Sequence, residues 1–195
     1  MKTVLVTGSN GLLGQKLTEK VLKDGGVNLV ATSKGKNRFP IIEGYQYATM
    51  DILDAEEVRN VIEQYQPDAI IHTAAMTNVD TCHEQRDLAF KLNVDAVANL
   101  ISICEEHNIQ LVHLSTDFVF DGQDGPYAET DAPNPLSVYA RSKVEAEKIL
   151  QATEGLSFSI VRTIIVYGQG EQLSRSNLIL WAKEALEKGS PLQIV

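Results

Sequence analysis

A doubly wound α/β fold, with a parallel sheet covered by helices on both faces, is predicted by two features of this chain. Short apolar runs alternate with longer amphipathic stretches from one end to the other, as in buried parallel strands joined by crossover helices. The first apolar run ends in a glycine-rich turn at Gly8, Gly11 and Gly14 that opens directly into an amphipathic stretch. Crossovers between parallel strands are right-handed, so the sheet winds outward from its middle in both directions.

Taken in order, the first strand is Thr3–Thr7, and a helix over Gly11–Lys23 follows, stopped by Gly25-Gly26. Strands at Asn28–Thr32 and Tyr45–Thr49 come next. Asp54 with Glu57 has capping-box spacing and starts a helix over Ala55–Gln64. A strand at Asp68–His72, a long helix over Arg86–Glu106 and a strand at Gln110–Leu114 continue the alternation. Asp121–Pro135, rich in Gly, Pro, Asp and Asn, reads as a loop before a helix over Ser137–Ala152. A strand at Ser157–Val161 and a helix over Asn177–Lys188, stopped by Gly189, complete the set. Leu192-Gln-Ile-Val195 has the look of a seventh strand. A buried strand should lead into another element, so residues 1–195 are read as the N-terminal domain of a longer protein.

A chain of 195 residues is long enough for one well-buried domain and short for two. With 44% hydrophobic and 22% charged residues, it has the composition of a soluble globular protein. A net charge of −9 without a basic patch argues against nucleic-acid binding, while local amides and a few cations still admit an anionic ligand. No apolar stretch is long enough to span a bilayer, and the first residues enter a strand rather than a signal-peptide core. Cys82 and Cys104 have neither metal-type spacing nor a framework of pairs, and read as reduced thiols of a cytoplasmic protein. Cys82 and His83 are adjacent, an isolated pair more often incidental than a ligand site.

Thr7-Gly8-Ser9-Asn10-Gly11-Leu12-Leu13-Gly14 links a strand to a helix. Small residues there let the chain turn sharply, let the backbone approach a pyrophosphate and let helix pack on sheet. Free amides at the helix start receive the phosphate charge. At the end of the second strand an acid would hold a ribose 2′-hydroxyl; the sequence instead has Ser33, Lys34 and, further on, Arg38. Hydroxyl and cationic groups suit a 2′-phosphate, so NADPH is favoured over NADH.

Tyr139 and Lys143 are four apart on a predicted helix and therefore share a face. An ammonium beside a phenol stabilises phenolate and lowers the tyrosine pKa from about 10 towards the working pH. The expected product is a proton donor for a carbonyl under reduction.

Taken together, these motifs resemble the extended short-chain dehydrogenase/reductases, along essentially the whole chain and in the family's order. Asp51 and Ile52, in Met50-Asp51-Ile52-Leu53-Asp54, match residues beside the adenine. Ala74 and Ala75, in His72-Thr-Ala74-Ala75, match small residues over which the cofactor passes. Asn93, in Lys91-Leu92-Asn93-Val94, matches a helix residue that shapes the active site and is counted with the cofactor contacts; a satisfied buried amide is an equal alternative. Leu114-Ser115-Thr116-Asp117-Phe118-Val119-Phe120-Asp121-Gly122 is the most discriminating segment and resembles the dTDP-4-dehydrorhamnose reductase branch. Ala75-Met-Thr77-Asn-Val79-Asp80, Tyr127-Ala-Glu129-Thr-Asp131, Val161-Arg162-Thr163 and Val166-Tyr167-Gly168 do so too.

The resemblance implies a Rossmann-like NAD(P)-binding domain, a substrate lobe beyond Val195, and reduction of a nucleotide-linked 4-keto-6-deoxysugar. Thr116 takes the place of the hydroxyl that polarises the carbonyl, Tyr139 protonates the alkoxide, and Lys143 lowers the Tyr139 pKa and holds the nicotinamide ribose. Ser115 alternates to the other face of its strand and reads as structural. No metal is required, and a homodimer is left open. A sugar-nucleotide 4,6-dehydratase would need an Asp-Glu pair after the catalytic Thr, whereas Asp117 is followed by Phe118. A sugar-nucleotide epimerase remains an alternative, as does a non-catalytic subunit like the regulatory subunit of methionine adenosyltransferase.

Overall fold

In a computed structural model of the chain, residues 1–173 and 177–191 are described, and the expected strand at 192–195 lies outside them. Six strands form one parallel sheet: β1 (Lys2–Thr7), β2 (Val27–Ser33), β3 (Gln46–Thr49), β4 (Ala69–His72), β5 (Gln110–Thr116) and β6 (Phe158–Thr163). They lie in the order β3-β2-β1-β4-β5-β6. The sheet thus reverses direction between β1 and β4, the switch point where a crevice opens beyond the strand ends. Central strands bury Leu5, Val6, Leu29, Val30, Ile70 and Leu111 almost completely, because helices cover both faces. Leu100, Ile103 and Leu150 supply helical side chains to the core cluster that holds Leu5, Val30, Ile70 and Leu111.

The helices follow their local signals. Helix α1 (Leu12–Asp24) ends where Gly25 and Gly26 take positive φ, and the Gly25 N–H bonds the Val21 carbonyl at 2.8 Å. Helix α2 (Ala55–Tyr65) is capped by Asp54, whose carboxylate accepts from the Glu56 and Glu57 amides at 3.0 Å. Glu57 does not close a capping box on the Asp54 amide; its carboxylate accepts instead from the Asp51 N–H at 2.7 Å, which ties down the chain after β3.

The long helix expected over Arg86–Glu106 is broken. Helix α4 (Arg86–Phe90) widens into a π-helical turn at Lys91–Asp95 before α5 (Ala96–His107) resumes regular winding. Such widened turns recur at functional sites, and this one carries the buried Asn93. A short helix α3 (Val79–Glu84), not anticipated, is started by Asn78, whose side chain accepts from the Thr81 N–H at 2.7 Å. Helix α6 (Val138–Ala152) is capped by Ser137 through the Ala140 amide at 3.1 Å. Helix α7 (Leu178–Glu187) follows the described part of the segment after β6. No helix among the described residues is long and apolar enough to cross a membrane.

Candidate functional site

A cleft of about 770 Å³ lies at the carboxyl ends of the strands, and the glycine turn forms one end of it. Gly8 sits at φ +70, and a Cβ there would stand 2.7 Å from the Ala74 nitrogen. A Cβ on Gly14 would stand 2.5 Å from both the Gly8 carbonyl oxygen and the Ser9 Cα. Glycine is therefore needed at both positions to let α1 pack on the turn and the turn on the β4 end. Unlike α2 and α6, α1 has no side-chain cap, and it has no acid in its first turn, so its leading amides face the cleft without a built-in anion.

Asn10 fastens this turn to the loop after β2. Its amide donates to the Lys36 carbonyl at 2.9 Å, and its side-chain oxygen accepts from the Arg38 N–H at 2.9 Å. Ser33, Lys34 and Arg38 reach the same rim of the cleft. Lys34 is not a solitary cation, because Asp51 from beyond β3 lies 2.6 Å from its ammonium. That contact holds the Lys34 pKa above and the Asp51 pKa below their ordinary values, with the hydrogen bond between them the first cause in each case.

At the other end of the cleft stand Thr116, Tyr139 and Lys143. The Thr116 hydroxyl donates to an Asp117 carboxylate oxygen at 3.1 Å and is near enough to the Tyr139 phenol to pull its pKa down. Phe118 packs its ring edgewise against Tyr139, with centroids 6.3 Å apart. Ser115 alternates away from Thr116 and bonds the buried carboxylate of Glu147. That carboxylate is paired with the Arg162 guanidinium through contacts of 2.6 and 3.1 Å.

Two expectations are corrected here. The Tyr139 pKa lies above its ordinary value, not below it: burial is the main cause, and neighbouring Cys82 and Asp117 add to it while Thr116 opposes. Lys143 does not offset this, since it is 2% exposed and turns inward, its ammonium 3.1 Å from the His113 Nε2. Burial lowers the Lys143 pKa to about 8, against an opposing pull from Glu147. Asn93, expected among the cofactor contacts, is not part of the cleft lining. Its side-chain amide donates to the Met76 carbonyl and the Ser142 hydroxyl at 2.9 Å each, while its side-chain oxygen accepts from the Met76 N–H at 2.9 Å. Asn93 therefore clamps the segment after β4 to α6 from behind the cleft.

The other expected positions (Gly8, Asn10, Gly11, Leu12, Leu13, Gly14, Ser33, Lys34, Arg38, Asp51, Ile52, Ala74, Ala75, Thr116, Tyr139 and Lys143) all line the cleft. Sequence reasoning missed Gln15, whose amide donates to the Asn10 and Glu171 carbonyls at 3.1 and 2.7 Å and accepts from the Glu171 N–H at 2.7 Å. It draws the segment after β6 onto the glycine turn, and no local signal marks it. Ile164, Ile165 and Val166 of that segment add an apolar wall. The Asp121–Pro135 loop is held by Asp121, which accepts from the Tyr127 hydroxyl at 2.6 Å and the Asn134 amide at 2.7 Å. A wider hollow of about 1070 Å³ shares Asp117 and Phe118 with the cleft but lacks Tyr139, Lys143 and the glycine turn. No cluster of three or more His, Cys, Asp or Glu side chains able to hold a metal forms among the described residues.

The chain is 34% identical over 175 residues to methionine adenosyltransferase 2 subunit beta of Bos taurus, an alignment covering 90% of this chain and 50% of that protein. It is 33% identical over 170 residues to the dTDP-4-dehydrorhamnose reductase of Aggregatibacter actinomycetemcomitans, covering 87% of this chain and 53% of that one. The crystal structure of the dTDP-4-dehydrorhamnose reductase of Bacillus anthracis in complex with NADP superposes with a TM-score of 0.77 at 29% identity, over 96% of this chain and 61% of that one. The chain thus spans about half the length of the curated relatives it matches. A family model matches residues 1–195, and the chain belongs to the family that it describes as the RmlD substrate binding domain.

Proposed function

We propose that this chain carries the cofactor site and the proton donor of an NAD(P)H-dependent reductase acting on a nucleotide-linked 4-keto-6-deoxysugar. The observation that carries the reading is the meeting of Thr116 and Tyr139 in the same cleft as the glycine turn. A dinucleotide fits the residues present: uncapped α1 amides for its pyrophosphate, small Ala74 and Ala75 beneath its path, and Ser33 with Arg38 at the rim where a 2′-phosphate would lie. When bound, a reduced nicotinamide supplies a hydride to the carbonyl carbon.

The chain's own residues do the rest. The Thr116 hydroxyl orients the carbonyl oxygen, and the Tyr139 phenol, held protonated by its burial, gives its proton as that oxygen gains charge. Phe118 packs edgewise on the Tyr139 ring and limits its movement on that side. NADPH is the favoured cofactor on the strength of Ser33, Lys34 and Arg38. The NADP complex of the Bacillus anthracis reductase supports that choice.

Consumption of NADPH on addition of a 4-keto sugar nucleotide, followed by absorbance, tests the reading. Tyr139→Phe should lower turnover by about 100-fold or more while cofactor binding survives. A second reading, a non-catalytic subunit that binds the dinucleotide and acts through a partner, is favoured by the 34% identity to methionine adenosyltransferase 2 subunit beta. Under it, NADPH binds but is not consumed, and Tyr139→Phe changes nothing.

A further inference from the structure

Four side chains in register towards the carboxyl ends of β2, β1, β4 and β5 form a polar row across the sheet. Thr32 is in register with Thr7, Thr7 with His72, and His72 with His113. All four are buried to 1% exposure or less. The Thr7 hydroxyl lies 2.8 Å from His72 Nδ1, and the His72 and His113 rings stack with centroids 5.5 Å apart. Lys143 descends from α6 onto the end of this row. An apolar sheet face would pack there more cheaply, since two buried ring nitrogens, His72 Nε2 and His113 Nδ1, have no partner among the described residues.

We infer that His113 is a positioning residue for Lys143, accepting a proton of its ammonium at Nε2 and so keeping the cation beneath the Tyr139 face of the cleft. The inference rests on the proposed reductase reading for its purpose, though not for its geometry. An ammonium has only protons to offer, so His113 Nε2 must be bare and its proton must sit on Nδ1. Burial and the Lys143 charge push His72 down to about 3 and His113 lower still, so neither ring competes for the charge. The groups facing Lys143 are His113 from β5, His72 from β4 and Glu147 one turn along α6; Cys82 and Asp117 bear on Tyr139 instead. Among the described residues, His113 is the one of these within hydrogen-bond distance of the Lys143 ammonium, at 3.1 Å.

Removing that acceptor leaves a buried ammonium worse solvated, which favours the neutral amine. Carbon-labelled lysine followed by NMR should show Lys143 titrating at about 8 in the natural chain. In His113→Leu the midpoint should fall by about one unit, and in His113→Gln, which keeps an acceptor, it should stay near the natural value. NADPH affinity at neutral pH should fall several-fold in His113→Leu and recover in His113→Gln. Nitrogen NMR of the natural chain should show His113 protonated at Nδ1, which tests the contact even if His113→Leu does not fold. An Nε2 proton on His113, or a Lys143 titration unmoved by His113→Leu, overturns the inference. If NADPH binds none of the three proteins, the reductase reading fails, while the lysine and histidine spectra still decide the role of His113.

Discussion

Lys34 and Asp51 form an ion pair of 2.6 Å that joins the ends of β2 and β3. With the lysine side chain 79% exposed, the pair contributes little to stability. Its consequence is for ligands. The cation nearest the expected 2′-phosphate already has a counter-charge, whereas Arg38, the other cation of that loop to line the cleft, donates from its guanidinium to the Gln172 carbonyl at 3.3 Å and keeps further donors to offer.

Arg38→Ala should therefore weaken NADPH by about tenfold, with Lys34→Ala costing less, and neither should alter NADH much. Asp51→Asn should release Lys34 and shift selectivity further towards NADPH. Calorimetric titration with both cofactors is the measurement. Equal or tighter NADH binding by the natural chain would remove the preference.

Lys143 should cost the fold stability. Its folded pKa of about 8 is below the ordinary 10.5, so between those values the unfolded chain binds more protons. Stability from this group is lowest below pH about 8 and rises as pH climbs towards 10.5. Lys143→Met should thus stabilise the protein by about 1–3 kcal/mol at neutral pH while damaging cofactor binding, with the advantage fading above pH 10. Urea unfolding across pH checks both sign and window. A variant less stable than the parent at neutral pH contradicts it.

The Glu147–Arg162 pair behaves in the opposite way. The Glu147 side chain is 2% exposed and that of Arg162 16%, and the carboxylate also accepts the Ser115 hydroxyl. Arg162→Met strands the buried carboxylate beside Ser115 and should cost about 3–5 kcal/mol. Adding Glu147→Gln should recover a good part of that loss, an interaction energy that a double-mutant cycle measures directly. Additive effects would mean that the two side chains do not act as a pair.

Much of this architecture was legible in the chain because its causes are local. The five β-rich runs before Ser157, and the sixth beginning there, follow from side chains a few residues apart, as do the stop at Gly25-Gly26 and the cap at Asp54. The glycine turn was legible for the same reason: positive φ at Gly8 and the close approach at Gly14 are demands made within a single strand-turn-helix unit. Tyr139 and Lys143 were set on one helix by their spacing alone. The break at Lys91–Asp95 was not legible, since helix periodicity runs on through it and its buried Asn93 is held by Met76 and Ser142.

What the sequence by itself determined was the order of elements, the winding of the sheet and the gathering of the glycine turn with the Tyr/Lys helix. Only the tertiary structure decided how charges and protons are arranged there. Lys143 faces His113 rather than lowering the Tyr139 pKa, and Lys34 meets Asp51. Gln15 grips Glu171 across 156 positions of the chain. The physical reason is one of range. Backbone preference and periodicity act between neighbours, whereas burial, ion pairing and the pKa of a side chain depend on groups that folding alone brings within a few ångströms.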